Sequence, residues 1–249
     1  MMLLSRTALA DPDPALAYPI ESTDRPILLP ANVWRLDFSL DYSSYLQQVT
    51  DANGVTKTIV TADGHTHDGD LALGYSFGPV EIDARTLHRL AQLGAAVDLG
   101  CNCGVISATF EYFHPVAPTV YDYAQYVGYA YKLIAIPKML SFEAGASMRI
   151  AEASEAPMDK VAFSGTVVTF SGGVGATVQV VRRLALSVGV NAGGPLQHSA
   201  GFTPRASMGS YAELLFGFHR WDLYAQFGGD DLTHTTLPFG AVGFVHRWF

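Results

Sequence analysis

Charged residues are scarce in this 249-residue chain, making up 15% of it, whereas soluble domains normally carry about 25%. Hydrophobic residues account for 49%. The 23 acidic residues outnumber the 15 basic ones, and no segment concentrates Lys or Arg. A net charge of −8 without a basic patch argues against nucleic acid as a partner, and the high apolar content excludes a disordered chain.

Long apolar runs are also missing. The most apolar stretch, residues 87–110, is interrupted by Arg89, Asp98 and Asn102, so it falls short of the roughly 18–20 residues that a transmembrane helix needs. A hydrophobic chain without a spanning helix leaves two all-β classes, a soluble β protein and a transmembrane antiparallel β-barrel.

Cysteine is represented only by Cys101 and Cys103. Such a pair can close a small ring in an oxidising compartment, and C-x-C is a poor metal signal without a third ligand. Two further stretches, 63–70 and 230–234, combine His with carboxylates, but their spacing matches no defined metal motif. We therefore expect polar loop tips there, with no metal site and no cofactor.

What the chain does contain is strict alternation from Val33 onward. Between Trp34 and Tyr42 every even residue is large and apolar and every odd one is polar, and segments 106–112, 142–150 and 221–227 repeat the scheme. Successive side chains of a strand point to opposite faces, so the pattern predicts strands with one apolar and one polar face. The rule predicts about twelve strands, at 33–43, 69–77, 80–88, 104–113, 119–133, 139–150, 160–170, 174–182, 184–192, 208–218, 221–228 and 238–248.

The predicted connections alternate between short and long. Tight ones are expected at 78–79, 114–118, 182–183 and 219–220, and long ones at 44–68, 89–103, 193–207 and 229–237. Residues 86–97, within this scheme, can form a short helix or an extended loop. Strands of about 9–11 residues with this asymmetry are typical of a transmembrane up-and-down β-barrel, which we expect to span residues 32–249.

The first 31 residues have a different character. Small-residue sites at 8–10 and 15–17 fit either the remnant of a secretory signal or an ordinary flexible terminus. Five prolines follow between residues 11 and 31, so this lead should be extended and irregular. It either extends into solution or folds back into the barrel as a plug.

The polar face of the predicted strands carries nine acids and three arginines. If it lines the lumen, five of the acids, on the first, third and eleventh strands, should share one wall near the closure, and the excess of acid should favour cations. In the alternative, acids and arginines pair across a plugged interior. The predicted pore-lining residues are Arg35, Asp37, Asp41, Asp70, Glu81, Asp83, Arg85, Glu111, Glu143, Arg149, Glu213 and Asp222.

Enzymatic alternatives have weak support. Asp230, Asp231 and His234 resemble the rim residues of barrel proteases, although no motif aligns. His198 and Ser199 are adjacent, and neighbouring strand residues point apart, so the pair suits a lipid hydrolase only if the loop curls. We predict no catalytic residue.

The C-terminal strand, residues 239–249, ends in Phe249. It resembles the C-terminal insertion signal of bacterial outer-membrane β-barrels, with Phe239, Ala241 and Val245 at the alternate apolar positions. Arg247 departs from that pattern, and we expect its side chain to reach the lipid headgroups. Residues 24–37 are similar to the opening of porin-like barrels, where a Pro-rich lead precedes an Arg-Leu-Asp strand.

This resemblance implies an outer-membrane protein in contact with lipid. Because the inward set is acidic and no strong catalytic group is found, we expect a channel for small solutes with a preference for cations. The alternatives are a barrel enzyme that hydrolyses lipid or protein, and a non-conducting structural barrel or scaffold that binds a partner through its long loops.

Overall fold

The computed structural model describes residues 18–43, 45–50, 56–61, 68–87, 90–100, 103–113, 123–153, 165–197, 206–230, 232 and 237–248. One short 3-10 helix, Ser22–Asp24, precedes the strands. The strands in this part of the chain are β1 (Trp34–Ser43), β2 (Tyr45–Thr50), β3 (Thr56–Thr61), β4 (Asp68–Ser76), β5 (Val80–Leu87), β6 (Leu90–Asp98), β7 (Val105–Phe113), β8 (Tyr123–Ile136), β9 (Leu140–Ala153), β10 (Gly165–Val181), β11 (Leu184–Gln197), β12 (Ser207–Gly217), β13 (Trp221–Asp230) and β14 (Leu237–Trp248).

Twelve of these strands form one closed antiparallel barrel. Each strand pairs with its neighbour in the chain, and β1 closes the ring by pairing with both β14 and β4. The closing register sets Trp34 opposite Trp248 and Phe38 opposite Phe244. Strands β2 and β3 form a separate hairpin within the connection from β1 to β4. The fold class predicted from the alternation is confirmed.

The barrel wall has an apolar outer face. On β1, Phe38 and Leu40 are exposed while the intervening Ser39 is buried, and on β4, Leu71 and Leu73 are exposed. The barrel strands contain 8 to 17 residues. An exposed apolar face and a polar interior are typical of barrels that contact lipid. Among the described residues no helix is long and apolar enough to cross a membrane.

The two ends of the barrel differ in their connections. At one end, which we call the short-turn end, the links comprise residues 77–79, 99–104, 137–139, 182–183 and 218–220. The opposite loop end carries the longest links, among them 44–67, 114–122 and 154–164, together with the short link 88–89 between β5 and β6. Bacterial outer-membrane barrels place short turns in the periplasm and long loops outside.

Aromatic rings gather near the short-turn end. Trp34 lies 4.6 Å from Tyr75 between ring centroids, and Tyr75 lies 4.7 Å from Phe77. Phe218 and Trp221 stack at 3.7 Å. Amphipathic rings at strand ends match the interfacial girdle that membrane barrels carry.

Two predictions for the barrel strands are wrong. One splits a strand in two and the other misses a strand, so the predicted total of twelve is unchanged. Segments 160–170 and 174–182 are one strand, β10, whose Ser171-Gly172-Gly173 sequence resembles a break. Conversely, the predicted loop or helix at 86–97 contains β6, where Gly94 and Ala96 dilute the alternation. Gly and Ala are poor strand formers in isolation, but both strands have partners on each side in the closed barrel.

The connection predicted as tight at 114–118 is also wrong. The link between β7 and β8 runs from residue 114 to 122, and it joins the strands at the loop end. The error follows from missing β6. When one strand is left out of an up-and-down barrel, each later connection, up to the next error in the strand count, is assigned to the wrong end of the barrel.

Candidate functional site

Residues 18–33, which we call the lead segment, lie inside the barrel. The Ser22 amide donates to Gln179 Oε1 on β10 at 2.8 Å, and the Leu29 amide donates to Glu81 Oε2 on β5 at 3.0 Å. Strands β5 and β10 are five positions apart in a ring of twelve. A segment that touches nearly opposite walls of a closed barrel must cross its lumen.

The lead segment is held at the short-turn end by its own packing. Tyr18, Leu29 and Val33 form a buried apolar cluster, and Ser76 Oγ on β4 donates to the Leu29 carbonyl at 2.9 Å. The Tyr18 carbonyl lies 3.1 Å from His219 Nδ1, in the turn before β13. Its prolines prevent regular strand pairing, so the segment satisfies its backbone through side chains of the wall.

The strongest attachment of the lead segment is an ion pair. Arg25 Nη1 and Nη2 donate to the two carboxylate oxygens of Asp222 at 2.7 and 2.9 Å. The side chains are 7% and 1% exposed. Arg247 Nη2 also donates to Asp222, and the ring of Tyr18 lies 5.2 Å from Arg25 Cζ and 4.5 Å from Arg247 Cζ. Bidentate pairs of this kind are strong and directional.

The prediction that Arg247 reaches the lipid headgroups is therefore wrong. In the register Val245 lies opposite both Asp37 and Asp222, and facing residues of antiparallel strands share one face. Arg247, two residues on, consequently shares the face of Asp222. Positions 239, 241 and 245, on which the C-terminal resemblance rests, are also on the face of Asp222. Val242 and Phe244 are on the opposite face of β14 and are exposed.

Three further ion pairs lie on the polar face. Arg35 Nη2 is 3.1 Å from Glu81 Oε1, and Arg85 Nε is 3.2 Å from Asp70 Oδ2. On the other side of the barrel, Lys132 Nζ lies 3.1 Å from Glu143 Oε1. Lys132 also donates to the Ser22 carbonyl at 3.0 Å, so it links β8 to the lead segment.

Four of the six remaining predicted residues have neutral partners. Tyr224 Oη donates to Asp37 at 3.3 Å, and Ser39 Oγ donates to Asp41 at 3.0 Å. Gln92 donates to Glu111. Arg149 Cζ lies 5.5 Å from the ring of Tyr126. Asp83 and Glu213 form no ion pair with another described residue.

Strands β1, β5 and β13, which carry Asp37, Asp41, Glu81, Asp83 and Asp222, are second neighbours around the closure. The five carboxylates are thus on neighbouring parts of the wall, but Glu81 and Asp222 are neutralised by arginines. That the predicted set lines a pore stays a prediction.

Sequence reasoning missed three cations, Arg25, Lys132 and Arg247. With them, the nine acids face six basic side chains. The alternation along β14 could have predicted Arg247, because residues 245 and 247 are two apart and therefore lie on the same face of the strand. For Arg25, in an irregular segment, there was none.

Two cavities lie on either side of the lead segment. The larger, of about 650 Å³, is bordered by the lead and by β7–β12. The smaller, of about 500 Å³, lies toward the short-turn end and is bordered by the lead together with Asp98 and Gly104. Both are bordered by the same five residues, namely Arg25, Pro26, Ile27, Tyr131 and Lys132.

Metal and catalytic candidates gain no support from the described ranges, in which no three His, Cys, Asp or Glu residues are grouped to hold a metal. His65, His67 and His234 of the two His-carboxylate stretches lie outside the described residues, as do Asp231, Cys101 and the His198–Ser199 pair.

No protein-family model matches the chain, and no curated protein matches it. Solved structures do. An outer membrane channel from Pseudomonas putida F1 is 12% identical with a TM-score of 0.60, over 89% of this chain and 97% of that one. The NanC porin is 10% identical with a TM-score of 0.52, over 85% and 98%. The translocator domain of the autotransporter NalP from Neisseria meningitidis is 12% identical with a TM-score of 0.50, over 88% and 89%. The chain has the fold of outer-membrane β-barrels, as the C-terminal resemblance implied.

Proposed function

We propose that this barrel is a narrow channel of a bacterial outer membrane that passes small solutes beside the lead segment. The observation that carries the proposal is the pair of cavities that meet at the same five residues. Together they outline a route from the middle of the lumen to the short-turn end, which passes Ile27 of the lead and Lys132 of β8.

The fold supports this function. The Pseudomonas putida structure is an outer membrane channel and NanC is a porin. A twelve-stranded barrel lies between the eight-stranded size, whose interior side chains fill, and the 16-stranded size, which leaves an aqueous channel. Partial occlusion by the lead segment is consistent with a small conductance.

We expect the channel to prefer cations weakly. The nine acids predicted on the inner face outnumber the six basic side chains by three. Six charges cancel in three close ion pairs, and Asp222 is shared by Arg25 and Arg247. A lumen with a modest excess of one sign raises the local concentration of the opposite ion. The cation selectivity should therefore be far smaller than expected from the nine acids and three arginines of the predicted set.

Planar-bilayer recording of the purified full chain tests the proposal. We expect discrete conductance steps, and in a salt gradient a zero-current potential of the sign that cations produce. Bilayers that stay silent, both for the native chain and for a variant with Arg25→Gln that loosens the lead, would establish a non-conducting structural barrel instead.

A further inference from the structure

The inner face of the barrel has two unlike halves. The half formed by β13, β14, β1, β4 and β5 carries the ion pairs that hold or border the lead segment. The half formed by β7–β11 carries mainly glycine, alanine and serine near the barrel middle. This second surface, which we call the small-residue wall, borders the larger cavity.

The register builds this wall in rows. One row runs across five strands as Ser107, Gly128, Ser147, Ser171 and Gly193, each opposite the next. The adjacent row runs Ala130, Gly145, Gly173 and Asn191. Residues that face each other in antiparallel strands lie on the same side of the sheet. Four glycines and five short side chains therefore lie together on this wall and leave space in the lumen.

The chemistry of the two rows is polar and uncharged. Ser147 Oγ and Ser171 Oγ lie 2.7 Å apart and share a hydrogen bond. Ser107 and Asn191 add a hydroxyl and an amide on the same cavity. Hydroxyls and amides both donate and accept hydrogen bonds. They can therefore form hydrogen bonds with a solute that carries both donors and acceptors.

The charged side chains of this half lie outside the two rows. Lys132 and Glu143 neutralise each other at 3.1 Å in the next row toward the lead. On the other side of the serine row, Arg149 lies against the ring of Tyr126, and Glu111 accepts a hydrogen bond from Gln92. Arg25, which also borders the cavity, is engaged by Asp222. The two rows themselves therefore carry no charged side chain that could bind an ionised solute, whereas a hydroxylated solute would replace water at each step.

We propose that the small-residue wall is the permeation surface and that its solutes are uncharged polyhydroxylated molecules of monosaccharide to disaccharide size. This inference rests on the proposed channel function and adds to it the path and the solute class. The volume of about 650 Å³ falls in the range of about 300–1,000 Å³ that small-molecule sites occupy.

Liposome swelling with the full chain tests the path. Ser171→Phe places a bulky ring on the wall, and Ala241→Phe is the matched control, on the inner face of β14 and bordering neither cavity. We expect Ser171→Phe to slow glucose entry about fivefold or more and Ala241→Phe to leave it nearly unchanged, as lumen substitutions act locally on permeation. Equal slowing by both, or by neither, would overturn the inference.

A second variant keeps the test independent of folding defects. Ser147→Ala with Ser171→Ala preserves the width and removes two hydroxyls, and we expect slower glucose entry with unchanged potassium conductance. Gluconate, a charged sugar derivative of matched size, should enter more slowly than glucose through the native chain.

The outcomes separate the two proposals. If gluconate enters as fast as glucose, or the double alanine variant transports glucose like the native chain, the solute class is wrong while the channel stands. If the native chain admits no solute and carries no current, the channel function itself fails and this inference fails with it.

Discussion

Arg25 and Asp222 are separated by 197 residues in the chain, yet their side chains form a bidentate ion pair inside the barrel at 2.7 and 2.9 Å. The pair joins the lead segment to β13, and Arg247 of β14 shares the same carboxylate. One buried acid therefore binds both the lead segment and the last strand of the barrel.

Replacing this acid should loosen the lead segment. Asp222→Asn leaves Arg25 and Arg247 buried without a countercharge, and losing one partner of a buried pair costs about 3–5 kcal/mol. We expect a lower denaturant midpoint and a larger unit conductance in planar bilayers. Asp41→Asn is the control, because Asp41 receives a bond from Ser39 and does not contact the lead. Unchanged conductance in Asp222→Asn would show that the lead does not limit the current.

Ion selectivity should follow the acids that lack a cationic partner. Asp37→Asn, Asp83→Asn and Glu213→Gln together remove three charges, which equals the excess of acids over cations on the inner face. We expect the zero-current potential in a potassium chloride gradient to move close to zero while Asp222 still holds the lead. A potential that does not move would mean that these acids do not face the permeating ions.

A charged side chain at the centre of the exposed face of β6 should destabilise the barrel in a membrane. Leu93 is 66% exposed, and an Arg on the lipid face near the bilayer midplane costs about 2–4 kcal/mol. Leu93→Arg should therefore lower the fraction of folded barrel in vesicles, measured by heat-dependent gel migration. Leu99→Arg, in the turn after β6, should have little effect. Equal folding of both variants would argue against a membrane-embedded β6.

The alternation of apolar and polar residues predicted most of the barrel strands, because a period of two depends only on neighbouring residues in the sequence. Phe38 and Leu40 were assigned to one face and Asp37 and Asp41 to the other without any knowledge of their partners. It failed where side chains are small, at Ser171 to Gly173 and at Gly94 to Ala96, because these residues mark neither face. There the strand is fixed by pairing on both sides.

The location of the lead segment was outside the reach of local patterns. Its prolines predicted an irregular segment, and both a free tail and a plug satisfied that prediction. What decides between them is contact with distant residues, such as Ser22 with Gln179, 157 positions away. The pairing of Asp222 with Arg25, which removes that acid from the set available to ions, was hidden for the same reason.

The most direct test of a channel that runs beside the lead segment is thiol block at Ile27, which borders both cavities. The variant carries Ile27→Cys with Cys101→Ser and Cys103→Ser, and a bulky methanethiosulfonate reagent is added during bilayer recording. We predict that the current falls after addition from either side and recovers with reductant, while the variant without Ile27→Cys is unaffected. A current that persists after confirmed labelling of Cys at position 27 would contradict a route past the lead segment.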